Sequence, residues 1–132
     1  MKLTKTDYSD YEIRVHGCTY DQLKPLFPQL KTNNTGLCVY PSSLPTIGYY
    51  NLNGSGYTVT VYKPQGVVNV AIVEQSRTLN GYKKTATHEL GHALGWRGHS
   101  SSTTDIMYES ASTITELTTR DKEHLMQIYR GG

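Results

Sequence analysis

Phenylalanine is nearly absent from this 132-residue chain, with one copy, and cysteine is limited to Cys18 and Cys38. No C-x-x-C pair is present, so nothing points to dithiol redox work. No apolar run approaches the roughly 18 residues a bilayer span needs. The opening residues Met1–Asp7 lack the apolar segment of a signal peptide. A formal charge of only +2, with no dense Lys/Arg run, argues against a dedicated nucleic-acid binder. Repeats, low-complexity tracts and linkers are also missing, so residues 1–132 read as a single domain with one core, residues 1–10 being loosely held. Tyrosine, by contrast, is abundant at 11 copies. Together with Thr, Ser, Asn and Gly it suits a secreted surface rich in strands and loops.

Several segments carry strand patterns. Tyr11–His16 alternates as a half-buried strand does. Leu37–Tyr40 and Thr46–Tyr50 are short candidates, and Tyr57–Tyr62 alternates aromatic and branched residues. Val67–Val73 is apolar nearly throughout, which predicts a strand covered on both faces. Between Thr19 and Lys31, Leu23, Leu26, Phe27 and Leu30 recur at helical spacing, but Pro25 and Pro28 allow only a short or broken helix. A last helix is predicted after Thr118, whose side chain and that of Asp121 suit a capping box; Leu125, Ile128 and Tyr129 form its inward stripe, with Met126 beside them. His16 and His124 read as structural.

The chemistry concentrates in His88-Glu89-Leu90-Gly91-His92, an H-E-x-x-H motif. Asn80-Gly81 is a turn signal before it, and Ala86, Leu90, Ala93 and Leu94 give an apolar stripe at helical spacing. On a helix, positions i and i+4 share one face, so both imidazoles can hold one metal, with Glu89 about 100° round the axis beside it. Zinc accepts neutral imidazoles, keeps a position open for water and lowers the pKa of that water to about 7, within reach of a neighbouring carboxylate. Gly95 falls where the helix should stop and can turn the chain so that His99 returns as a third ligand.

This segment resembles the metzincin zinc endopeptidases, whose pattern is H-E-x-x-H-x-x-G-x-x-H followed by a methionine turn. It is most similar to the matrixins: His99-Ser100 and Asp105-Ile106-Met107-Tyr108 are matrixin-like, with Met107 eight residues beyond His99. The stretch Leu117–Asp121 through Gln127–Gly131 is similar to their final helix, so the resemblance covers residues 82–131. The chain departs from the pattern in one place. Gly98 stands where the third ligand belongs, and the histidine follows it, which reads as a one-residue insertion absorbed by Gly98. Should His99 miss the metal, Asp105 or Glu109 would be the nearest replacement.

The resemblance implies an α+β, zincin-like fold: a small mixed, twisted sheet packed on the active-site helix, then a Met-turn and a C-terminal helix. It implies a zinc metalloendopeptidase with His88, His92 and His99 as ligands, Glu89 as general base and one catalytic Zn2+. Met107, Tyr108, Glu109, Ser110 and Ala111 would form the turn and wall the pocket for the residue after the cleaved bond, with Glu109 where matrixins have proline. An extended substrate would lie on an edge strand, from residues 57–62 or 46–50. Partners would be a protein or peptide substrate, with no nucleic acid or membrane span, and the chain a secreted monomer; action in the cytoplasm is the alternative. Calcium accompanies many matrixins, but no Asp-rich loop stands out here. Their precursors cap the zinc with a propeptide cysteine, and the surroundings of Cys18 do not reproduce that segment. Cys18 and Cys38 read equally well as a disulfide, contributing about 3 kcal/mol, or as two buried thiols. A catalytically idle zinc or peptide-binding module is the competing function, and the presence of Glu89 argues against it.

Overall fold

A computed structural model describes residues 4–5, 11–42, 46–51, 58–62, 65–110 and 113–130. The remainder of the expected loose segment 1–10 lies outside them. Elements follow in the order β1 (Ile13–Cys18), α1 (Tyr20–Leu23), β2 (Gly36–Val39), β3 (Thr46–Asn51), β4 (Thr58–Tyr62), β5 (Val68–Val73), α2 (Leu79–Ala93) and α3 (Thr119–Arg130). The architecture is α+β, with a small mixed sheet and helices packed on it.

β5 is the centre of the three-stranded sheet β1-β5-β2. β1 pairs with it in parallel, Ile13 opposite Val68, and β2 runs antiparallel, Gly36 opposite Ile72. Side chains alternate between the faces of a strand, and both faces of β5 are covered. Ala71 and Val73 pack with Leu23, Phe27 and Leu30 of the α1 segment, with Leu37 and Val39 joining from β2. Ile72 faces the other way, toward Tyr82 and Ala86 of α2. The apolar run 67–73 is thus a central strand, as its composition predicts. The α1 segment is broken as the prolines require: one helical turn, then turns that bury Phe27 and Leu30 and leave Leu26 exposed. β3 and β4 pair antiparallel in a separate two-stranded sheet.

α2 begins earlier than Asn80-Gly81 suggests. Thr78 is its N-cap, its hydroxyl accepting from the Gly81 N–H at 3.1 Å, so the Asn-Gly pair becomes the first helical turn. The cap supplies the orphan N–H with an acceptor, and that outweighs the turn preference. Arg77 staples this start to the sheet, donating to the Val73 carbonyl at 2.8 Å and to the Thr85 hydroxyl at 2.6 Å. A second core cluster of Leu94, Trp96, Ile106, Met107 and Leu125 lies where α2 ends and α3 returns. Leu125 supports the predicted inward stripe; Ile128 and Tyr129 fall outside the described side chains.

The two cysteines are free thiols. Cys18 pairs with Val73 from one side of β5 and Cys38 with Val70 from the other. Two strand spacings, about 9.5 Å, exceed the roughly 7 Å within which a disulfide forms. Burial and then the Glu89 charge push the Cys38 thiol up to about 12. Thiol titration of the unfolded chain without reductant is expected to find two groups. In the native protein Cys38 should be alkylated about a thousandfold more slowly than a free thiol, following its thiolate fraction.

Candidate metal centre

His88 and His92 stand one turn apart on α2, and the backbone beyond it delivers His99. The helix ends in a Schellman motif: Trp96 N–H donates to the Gly91 carbonyl at 3.1 Å and Gly95 N–H to that of His92 at 3.0 Å. Gly95 sits at φ 114°, the left-handed region this turn demands. Gly98 is at φ 82°, a second reversal that accommodates the extra residue before His99. Ser100 then anchors the return. Its N–H donates to the Met107 carbonyl at 2.8 Å, and its hydroxyl to the Asp105 carboxylate at 2.6 Å.

The three imidazoles converge. Their ring centroids are 4.8, 5.2 and 5.1 Å apart, and their ligand nitrogens all lie within 4.8 Å of one another. His88 is buried, His92 half-buried and His99 exposed, so the cluster opens to solvent on one side. The buried rings are fixed in tautomer. His88 Nδ1 lies 2.8 Å from the Ile106 carbonyl and His92 Nδ1 2.7 Å from the Trp96 carbonyl. A carbonyl only accepts, so each Nδ1 carries the proton and each Nε2 presents a lone pair. Those two Nε2 atoms face each other at 3.1 Å. Two bare acceptors at that separation repel; a cation bound by both removes the repulsion. Tetrahedral zinc with 2.0–2.1 Å bonds has ligand nitrogens about 3.3 Å apart, so the donor set fits that ion. Burial lowers the His88 pKa to about 4 and also lowers that of His92, keeping both rings in the neutral form metals bind.

Met107 is fully buried beneath Gly91. A Cβ at Gly91 would collide with the Met107 sulfur, so helix and turn approach this closely only with glycine there. Gly91→Ala is expected to destabilise the chain by about 1–3 kcal/mol through overpacking and to weaken zinc binding with it, as read by denaturant unfolding and metal titration.

The turn at Met107 also holds His88. Asp121, fully buried, accepts from the Ile106 N–H at 3.0 Å and from Thr118 N–H and hydroxyl, both at 2.8 Å. Since the Ile106 carbonyl meets His88, a continuous path of hydrogen bonds runs from the α3 cap to that imidazole. The capping pair foreseen at Thr118 and Asp121 is present, with this added duty. Asp105, the substitute ligand considered above, is instead bound to Ser100, Thr118 and Arg120. His124 lies against Trp96 with ring centroids 3.9 Å apart and the planes tilted by 39°, and His16 meets Asn69 and Phe27, both away from the cluster.

Beside the imidazoles runs a cleft of about 440 Å³, with Glu89 and Glu109 among its lining. Burial pushes Glu89 up to about 7, partly opposed by the Lys84 charge. Among the described residues the strand bordering the cleft is β2, a segment not put forward for that role by its bland sequence. Leu37 and Val39 turn toward the α1 core, while Gly36 and Cys38 face the cleft. Gly36 is required there: a Cβ would stand 2.7 Å from Glu89 Cγ and 2.8 Å from its Oε1. Tyr40, at the end of β2, donates its hydroxyl to the His92 carbonyl and ties strand to helix. Glu109 lines the cleft and Tyr108 bridges to Ser100; Ala111 lies outside the described residues.

Comparison with known proteins gives one family. The sequence model of the family described as Matrixin matches residues 46–130. No curated protein and no solved structure matches the chain significantly.

Proposed function

Because the chain belongs to the matrixin family, we propose that it is a zinc-dependent endopeptidase whose centre is His88, His92 and His99. One observation carries this reading: three imidazoles converge at the mouth of a cleft that the buried Glu89 also lines. A zinc ion held there supplies Lewis acidity toward the scissile carbonyl and toward water.

The remaining work falls to the chain itself. Glu89 takes the proton of the hydrolytic water and passes it to the departing amine, acting as base and then acid; a carboxyl group titrating near neutrality suits both roles. β2, the outer strand of the three-stranded sheet among the described residues, offers backbone groups to an extended peptide. Tyr108, Glu109 and Ser110 wall the subsite for the residue after the cleaved bond. An idle binding module of the same fold would have no use for a buried carboxylate in this place.

Degradation of an unfolded protein tests the reading. Activity is expected to vanish with a chelator and to return with zinc added in excess. An equal rate with and without chelator contradicts it.

A further inference from the structure

Two cations line the cleft without a part in the reaction above, the exposed Arg97 and the half-buried Lys84. Lys84 lies one helical turn before His88, on the same face of α2, and lines the cleft from its half-buried wall. Its Nζ donates to the Ser110 carbonyl at 2.8 Å, just past the Met-turn. An ammonium has three donors, and among the described residues that carbonyl is the single acceptor it meets. The other two N–H groups and the charge are open to the cleft on the wall between helix and loop. Glu89 interacts with this charge but is reserved for the hydrolytic water. Glu109 shares the cleft but is exposed, where water and salt screen it.

We propose that Lys84 selects substrates carrying a carboxylate, Asp or Glu, on the residue that follows the cleaved bond. The proposal rests on the peptidase reading and on Tyr108–Ser110 as that residue's subsite. An incoming carboxylate takes the place of water as acceptor for the ammonium in a partly desolvated site, where a charge-assisted hydrogen bond is strong. A lysine that only clamped the loop through Ser110 would affect all peptides alike.

The test uses the zinc-loaded full chain and peptides differing only after the scissile bond, with Glu, Leu or Lys there. Within one enzyme the ratio of kcat/KM values cancels any effect of Lys84 on Glu89. Wild type is expected to prefer Glu over Leu by about 10–100-fold. Lys84→Met should bring the ratio near one, Lys84→Glu should favour the Lys peptide, and Lys84→Arg should retain the acidic preference. A wild-type ratio of one or less, or a ratio unchanged in Lys84→Met, overturns the proposal. Calorimetric binding of the Glu and Leu peptides to Glu89→Gln protein gives a readout without turnover. Equal affinities there overturn it too. Failure of wild type to cut any peptide, with the Glu peptide still bound at least tenfold tighter, contradicts the peptidase reading and leaves the carboxylate selection standing.

Discussion

Glu89→Gln is expected to lower peptide hydrolysis by about 10²–10⁴-fold while the chain still binds one zinc. The amide keeps the size of the carboxylate and its place against Gly36. It cannot accept the water's proton, so the base step is lost and the metal site is not. Glutamine also removes a buried group that is raised to about 7 by desolvation, so stability should hold or rise slightly. Peptide cleavage rates and metal content on the same purified sample check this. Full activity in the variant would mean another group takes the proton. Loss of zinc together with activity would mean that Glu89 serves the metal site itself.

His99→Ala should have the second largest effect. His88 and His92 are held by carbonyl partners and α2, and their geometry does not depend on residue 99. Two imidazoles then remain where zinc sites carry three or more protein ligands. Zinc affinity is expected to fall by more than the roughly 10–100-fold typical of losing an outer-shell partner. The fold should survive, because the His99 side chain is exposed and its neighbour Ser100 makes the anchoring bonds. A competitive chelator titration, with circular dichroism of the metal-free protein, separates the two quantities. Unchanged affinity would take His99 out of the ligand set.

Much of this was legible in the chain because it is local. The motif, Gly95 and His99 sit within twelve consecutive residues, and helix periodicity alone places two imidazoles on one face. The strands, the broken helix and the α3 cap follow from alternation, proline and side-chain hydrogen bonding to backbone. What sequence could not reveal depends on groups brought together across the fold. Asp121 reads as a cap, yet its contact with Ile106 spans 15 residues and reaches His88 through the Met-turn. Gly36 looks like turn chemistry after Asn33-Asn34, and only the approach of Glu89 shows why a side chain is excluded. The fate of Cys18 and Cys38 needed the strand order, since spacing along the chain says nothing about which side of β5 each occupies. Lys84 carried no motif at all; its meaning lies in the cleft it shares with Ser110.

The most direct test is X-ray absorption of the zinc-loaded chain, with metal content measured on the same sample. One ion per chain is expected, bound by three imidazole nitrogens at about 2.0–2.1 Å with the remaining position taken by oxygen. A spectrum with a sulfur neighbour, with only two imidazoles, or with no ion retained would contradict that expectation.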